Sequence, residues 1–325
     1  MAVTGSGTQA DPYIVHSYSE FIGLSGTISD ERYIQFFDTP NQTIDCNTYG
    51  SEFKWHQFSP MNGGQGTFPI HVDLNGCTIK NFLIADGETM FKGAYWNNTH
   101  HLGKIVISNG SLRNVFMGSA TSKLFAEYVE WHDVSISINV AGTTTIPFGH
   151  TDLNTESPTM DNCAIYLVAS TLTNHLMRKV NLSDTDIELH VGNQNATLMF
   201  PNCNFTDCRV QGKISGEVGK VNGTWMSSVL GTQNSNYGDN LTIWTNCVID
   251  LDLTDMTDSS GHQDFFVIAY DNGNLNTNVI CRSHYPTGKT APSIWNYMDH
   301  EGAQSIRNGT YLNNQGFTVV EVVGS

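Results

Sequence analysis

The feature that most constrains the fold of this chain is a short pattern that recurs along most of its length. An Asn, Asp or Gly turn precedes a run in which apolar and polar residues alternate, as in residues 73–84. The equivalent apolar positions lie at intervals of 33, 24, 29, 22, 23 and 39 residues, and they are Ile79, Leu112, Ile136, Ile165, Ile187, Val210 and Ile249. Repeats of this length cannot bury an apolar face alone, so they stack. The sequence therefore predicts a solenoid.

The first thirty residues predict an entry strand followed by a short helix. Ser17 and Glu20 have the spacing of a capping box, and apolar Phe21, Ile22 and Leu24 follow on one side. An open solenoid end exposes strand edges and core, and such a helix would cover them.

The charge balance weighs against nucleic acid and lipid as partners. Lys and Arg number 15 against 31 Asp and Glu, which gives a net charge of -16. Such a surface repels phosphate backbones and anionic membranes, and no apolar run is long enough to span a membrane. The N-terminal residues have neither the basic nor the apolar segment of a signal peptide. We therefore expect synthesis in a cytoplasm without a signal peptide.

The seven cysteines are odd in number and have no paired spacing. Four of them, Cys77, Cys163, Cys208 and Cys247, recur just after a turn residue. A small apolar side chain suits such a corner, so reduced thiols in the core are favoured over disulfides or a metal site.

Residues 5–93 carry motifs specific enough to indicate a family. They are Gly7-Thr8 with Asp11-Pro12-Tyr13, then Ile44-Asp45, then residues 74–82 with Asn75-Gly76, and Met90-Phe91 with Gly93. This stretch resembles right-handed parallel β-helix proteins of phage tail and virion adhesion type, and it is similar to bacterial surface β-helix repeat proteins. From there to about residue 285 the similarity lies in the style of the repeats.

The resemblance implies an all-β fold, a right-handed parallel β-helix with a short N-terminal capping helix and loop insertions. Residues 1–30 would form the entry strand and capping helix. Residues 31–285 would form the coils, with insertions near 141–160 and 215–240. Residues 286–325 would form an irregular C-terminal cap and a terminal strand.

The resemblance also implies a structural and adhesive virion protein of a bacteriophage, in a tail, collar or head appendage, that contacts host-surface glycans. Its partners would be other virion proteins and further copies of itself, for example in a trimer. One alternative is a polysaccharide-degrading enzyme, a hydrolase or lyase, on the same scaffold. Another is a bacterial surface repeat protein. The chain has no Walker loop, nucleophile elbow or dinucleotide fingerprint, so we expect no cofactor.

The densest acidic segment would be the site of an enzyme. Asp250 and Asp252 alternate with apolar residues and so project from one strand face, which makes them candidates for the carboxylate pair of glycoside hydrolysis. With Asp255, Asp258 and Asp264 they could also supply oxygens to Ca²⁺. The spacing matches no ligand motif, however, and a solvated acidic face is the favoured interpretation.

Aromatic residues in the irregular segments are the candidates for binding, because flat rings stack on sugar faces and are enriched at contact surfaces. They are Tyr95, Trp96, Trp225, Tyr237 and Trp295. The competing interpretation is that these rings cover the core beneath loops. Trp244 lies in a strand pattern, which favours a core position for it.

Overall fold

The computed structural model describes most of the chain. The described residues are 3–26, 28, 30–59, 68–85, 87–96, 100–117, 125–140, 148–149, 157–172, 175–195, 199–217, 219–220, 227–232, 242–257, 266–270, 279–285, 294–296 and 317–324. They form two compact units, which are Met1–Ala141 with Thr145–Ile165, and Gly142–Thr144 with Tyr166–Ser325.

Unit 1 contains a short α-helix, α1 (Tyr18–Gly23), a 3-10 helix (Cys46–Tyr49) and many short strands. The strands are β1 (Tyr13–Val15), β2 (Arg32–Phe36), β3 (Thr43–Asp45), β4 (Lys54–Trp55), β5 (Ile70–Asp73), β6 (Thr78–Ile84), β7 (Phe91–Lys92), β8 (Ala94–Trp96), β9 (His100–Gly103), β10 (Ile105–Met117), β11 (Ala126–Glu127), β12 (Val129–Val140), β13 (Phe148–Gly149) and β14 (Thr159–Asp161).

Unit 2 is also built from strands, and β15 (Ala164–Ala169) spans the boundary between the two ranges. Its further strands are β16 (Met177–Arg178), β17 (Asn181–Ser183), β18 (Asp186–Asn195), β19 (Asn204–Thr206), β20 (Arg209–Glu217), β21 (Gly219–Lys220), β22 (Ser227–Thr232), β23 (Ile243–Thr245), β24 (Val248–Asp252), β25 (Met256–Thr257), β26 (Phe266–Tyr270), β27 (Val279–Tyr285), β28 (Ile294–Asn296) and β29 (Phe317–Gly324).

In unit 1 the strands of successive repeats pair in parallel, and β8 and β9 form a separate antiparallel pair. Strands β1, β2, β5, β10, β12 and β14 form one parallel series, and β3, β6, β10 and β12 form another. Ile79 pairs in register with Leu112, and Leu112 pairs with Ile136. The sequence pattern predicted that Ile79, Leu112 and Ile136 are equivalent positions, and the strand register confirms this.

Unit 2 repeats this arrangement. Strands β17, β19 and β23 are parallel neighbours, and so are β18, β20, β24, β27 and β29. Ile187 pairs with Val210, and Val210 pairs with Ile249, which confirms two further predicted equivalences. The predicted all-β class is therefore confirmed, with parallel pairing in both units.

One predicted insertion contains sheet structure. Within residues 215–240, β22 pairs in parallel with β26 and in antiparallel with β21. Val229 and Leu230 of β22 are fully buried, so this part of the segment contributes to a core.

The N-terminal helix forms where the capping pattern placed it. The Ser17 side chain caps α1 by accepting a hydrogen bond from the Glu20 backbone N–H, and the Glu20 carboxylate accepts one from the His16 backbone N–H at 2.7 Å. The helix buries Tyr18 and Phe21. The Phe21 ring stacks on Phe58 with centroids 4.2 Å apart, so the helix covers apolar core.

Asn and Asp occupy the corners of the repeats, which lie between two strands or, at Asn109 and Asp133, within the long strands β10 and β12. Six corner residues have φ between 46° and 57°, and they are Asn109, Asp133, Asn162, Asp184, Asp207 and Asn246. Asn and Asp tolerate this left-handed backbone better than other non-glycine residues. The recurring turn residue in the sequence thus has a conformational cause.

The residue after four of these six corners has a small side chain that donates a hydrogen bond, and the other two corners are followed by Gly110 and Val134. The thiols of Cys163, Cys208 and Cys247 donate to the carbonyl oxygen two residues earlier at 3.3, 3.1 and 3.1 Å. The Thr185 hydroxyl makes the equivalent bond to Ser183 at 2.8 Å. The six cysteines whose side chains the structure describes are buried, and none of these six forms a disulfide.

Candidate functional site

An open cleft of about 410 Å³ lies on unit 1 beside the ends of β4, β6 and β10. Seven residues line it, and they are Asn47, Ser51, Phe53, Asn81, Phe82, Leu83 and Phe116. The set combines three aromatic rings and a leucine with two amides and a hydroxyl, and none of the seven is charged. Ligand sites commonly have this mixture of apolar area and a few polar groups.

Strand register places the apolar residues of the cleft side by side. Phe116 pairs with Leu83 across β10 and β6, and the Leu83 backbone N–H donates to the Phe53 carbonyl oxygen at 2.9 Å. Val115 and Met117 are buried on either side of Phe116. Because side chains alternate along a strand, Phe116 points outward, and 43% of it is exposed.

The aromatic wall of the cleft is braced from behind. The Phe53 ring lies 4.7 Å from Tyr18 and 4.9 Å from Tyr49, measured between centroids. Phe82 is buried and lies 5.0 Å from Trp55. These contacts hold two of the rings in position before any ligand arrives.

A ladder of polar side chains holds Asn81, one of the two amide residues that line the cleft. Asn114 donates to the Asn81 side-chain oxygen at 2.9 Å, and Asn81 donates to the Asp45 carboxylate at 2.8 Å. Lys80 lies 3.1 Å from the same carboxylate. The bond from Asn81, with Lys80 and the Asn47 N–H, outweighs desolvation and lowers the pKa of Asp45. The nearby charges therefore neutralise each other.

The acidic segment of unit 2 lies on the exposed face of β24, next to cations of β20. Asp250 lies 3.9 Å from Arg209, and Asp252 lies 3.6 Å from Lys213. Lys213 also approaches Asp255 at 2.6 Å, and this bond, with Asp252, raises the pKa of Lys213. The carboxylates are thus paired ions on a solvated sheet face.

The electrostatics of Asp252 do not suit a general acid. Burial acts to raise its pKa, but hydrogen bonds from Thr254 and the ammonium of Lys213 outweigh burial, so the pKa is lowered. Glycoside hydrolysis needs a carboxylic acid whose pKa is raised. The geometry favours the solvated-face interpretation of this pair.

The aromatic candidates from the sequence are distributed over both units. Tyr95 and Trp96 lie on β8, which forms an antiparallel pair with β9, and Trp295 lies on β28, where it pairs with Ala269. Trp225 and Tyr237 lie outside the described residues, as do Asp258 and Asp264.

Trp244 is a core residue, as its strand pattern predicted. It is fully buried, so it cannot serve as a surface contact. The cleft residues Phe116 and Leu83 were not among the sequence candidates. The sequence feature that could have indicated them is an apolar residue at an outward-facing position of a strand with alternating apolar and polar residues.

Within the part of the chain that the structure describes, no group of three or more His, Cys, Asp or Glu side chains is placed to hold a metal ion. Of Asp255, Asp258 and Asp264, the further residues of the proposed calcium set, Asp255 is described, and it faces Lys213. Among the same residues no helix is both long and apolar enough to cross a membrane.

Comparison with known proteins adds little. No family model and no curated protein matches the chain. A crystal structure of a "putative immunoglobulin A1 protease" from Bacteroides ovatus is 13% identical in sequence, with a TM-score of 0.38 over 94% of this chain and 89% of that chain. A TM-score this low gives no basis for inferring a shared function.

Proposed function

We propose that this chain is a structural and adhesive protein of a bacteriophage virion, in a tail, collar or head appendage, and that it contacts host-surface glycans. The scaffold in this proposal is a right-handed parallel β-helix. It would act with other virion proteins and with further copies of itself, for example as a trimer. The motifs of residues 5–93 support this proposal through their resemblance to such proteins.

The observation that carries the proposal is the combination of in-register parallel strands with an outward-facing aromatic cleft. Parallel pairing of successive repeats in both units supports a β-helix. Phe116 then presents an exposed ring on that scaffold beside uncharged polar groups. Aromatic rings on a rigid strand surface suit adhesion, since they supply contact area at low entropic cost.

The enzyme alternative would use Asp250 and Asp252. It is disfavoured because Arg209 and Lys213 pair with these carboxylates and because the pKa of Asp252 is lowered. The alternative of a bacterial surface repeat protein uses the same scaffold and differs in where the chain is displayed.

Adhesion and hydrolysis are separated by one experiment on the full chain. Purified protein is incubated with a panel of bacterial capsule and wall polysaccharides, and both retention of protein and new reducing ends are measured. Retention without new reducing ends is the expected result. Reducing ends that disappear in the Asp250→Asn, Asp252→Asn double variant would establish the enzyme instead.

The location on a virion is tested separately. Mass spectrometry of purified phage particles from the source culture should detect the chain as a stoichiometric component. Detection in the bacterial cell-surface fraction without particles would favour the surface repeat protein.

A further inference from the structure

The cleft defined by Asn47, Ser51, Phe53, Asn81, Phe82, Leu83 and Phe116 has unused binding capacity on its polar side. The Asn47 side-chain amide and the Ser51 hydroxyl have no hydrogen-bond partner among the described residues. Both side chains are exposed, so a ligand can reach them. These groups can both donate and accept hydrogen bonds.

The cleft also has an apolar lining, formed by Phe53, Phe82, Leu83 and Phe116. The exposed ring of Phe116 adjoins Leu83, and Phe53 continues this surface towards Tyr49, which is 48% exposed. A ligand for this cleft must therefore present an apolar face and a polar edge at the same time. A sugar ring does so, because its C–H groups form a face and its hydroxyl groups project from the rim.

Charge narrows the ligand class further. The lining residues carry no charge, and the nearby Lys80 is paired with Asp45 at 3.1 Å. The chain as a whole has a net charge of -16, so an anionic polymer would be repelled at long range. A cationic ligand would find no carboxylate in the lining. The complementary ligand is uncharged.

Part of the cleft lining, Phe53 and Asn81, is also held in place before a ligand binds. Tyr18 and Tyr49 hold Phe53, and Asn81 is fixed by bonds to Asp45 and Asn114. Groups that are already ordered lose little conformational freedom when a ligand binds. This ordered part of the lining therefore adds little to the entropic cost of binding.

We propose that this cleft binds an uncharged saccharide, whose C–H face stacks on Phe116 and whose hydroxyl groups bond to Asn47 and Ser51. The inference rests on the proposed function, since it names the glycan class and places its site. It assigns the contact to unit 1 and to residues outside the aromatic candidates of the sequence.

The test uses the full chain and isothermal titration calorimetry. The probes are neutral hexasaccharides of glucose, mannose, galactose and N-acetylglucosamine, with oligogalacturonate and oligosialic acid as anionic counterparts. We expect at least one neutral probe to bind and the anionic probes not to bind. Phe116→Ala should weaken that binding at least about tenfold, and Asn47→Ala with Ser51→Ala should weaken it to a similar extent.

The matched control is Tyr166→Ala, since Tyr166 is an equally exposed aromatic (42% against 43% for Phe116) outside the cleft. Its affinity should equal that of the unchanged chain. Circular dichroism and the unfolding midpoint establish that each variant is folded. Asn47→Ala with Ser51→Ala alters exposed side chains alone, so it provides a second test if Phe116→Ala does not fold.

The possible outcomes distinguish a failure of the proposed saccharide site from a failure of the proposed function. Neutral binding that survives both cleft variants overturns the cleft as the site and leaves glycan adhesion intact. Binding of anionic probes alone overturns the assignment to uncharged sugars. No binding to any probe, together with no retention on bacterial polysaccharides, overturns the adhesive function as well. Loss of self-association in Phe116→Ala, measured by sedimentation, without any sugar binding would assign the cleft to a second copy of the chain.

Discussion

Phe205 and Trp244 lie face to face in the core of unit 2, with ring centroids 3.9 Å apart and planes inclined by 3°. They are register partners on the parallel strands β19 and β23, so the stacking of the rings follows directly from the pairing of the strands. Both rings are fully buried.

Trp244→Ala should lower the free energy of unfolding by about 3–5 kcal/mol, because it removes a large buried ring and leaves a cavity beside Phe205. Denaturant titration followed by circular dichroism measures the effect. The control is Phe68→Ala, since Phe68 is 46% exposed and its removal should change stability by less than about 0.5 kcal/mol. Equal effects would contradict the core assignment.

Asn81 combines a left-handed backbone, φ 63°, with a place in the ladder between Asp45 and Asn114. Asn81→Ala loses the hydrogen bonds of the ladder and also places an alanine in a left-handed backbone conformation, which is unfavourable for it. Asn81→Gly loses the bonds alone. The alanine variant should therefore be less stable than the glycine variant by about 1 kcal/mol. A more stable alanine variant would show that this corner does not require positive φ.

Gly110 has no room for a side chain, since a Cβ atom there would lie 2.4 Å from the Leu74 Cβ and 2.8 Å from the Cys77 carbonyl oxygen. Gly110→Ala should be destabilising by about 1–3 kcal/mol through overpacking. Gly23→Ala is the matched control, because nothing lies within 4 Å of a Cβ in that helical position. The control should be neutral or slightly stabilising, and thermal unfolding of both variants tests the contrast.

The chain should lose stability in acid through Asp45 and Asp252. Hydrogen bonds and neighbouring lysines lower both pKa values in the folded state. The resulting stabilisation is present above the unfolded pKa, near 3.9, and is lost as the pH falls through the folded values. Urea titrations at pH 7, 4, 3 and 2 measure this loss. The Asp45→Asn, Asp252→Asn double variant should show a smaller decrease below pH 4, and an unchanged decrease would contradict the assignment.

The buried thiols should resist alkylation in the native protein. Burial raises the pKa of Cys77 and Cys163 to about 11, and that of Cys46 and Cys203 to about 12. Very little thiolate, the reactive form, is then present at pH 8. Iodoacetamide labelling followed by peptide mass spectrometry should modify these residues after denaturation and not before. Rapid native labelling of any of the four would contradict their burial.

The sequence predicted the register of the repeats well because Asn or Asp marks the six corners described above. A left-handed backbone selects Asn or Asp, and the apolar residue three positions later then faces the core, as with Asn246 and Ile249. The capping pattern of Ser17 and Glu20 predicted α1 for an equally local reason.

The cleft could not be found in this way, because it depends on which strands become neighbours. Phe53 and Phe116 are more than sixty residues apart in the sequence, and Leu83 of β6 brings them together. The outward position of Phe116 is present in the alternation of β10, but that position alone does not show which residues of other strands lie beside it. Similarly, the charge pairing of Asp252 required the register of β20 and β24.

The strand pairing of this protein also suits variation over evolutionary time. Register partners are separated by 24 residues at Leu112 and Ile136 and by 39 at Val210 and Ile249. In both cases the corners of the two repeats are aligned in the same way. The strand register therefore does not depend on the length of the chain between the two strands. Lineages can therefore lengthen or replace these segments while the ladder of strands persists, which would allow new recognition surfaces to arise on an unchanged framework.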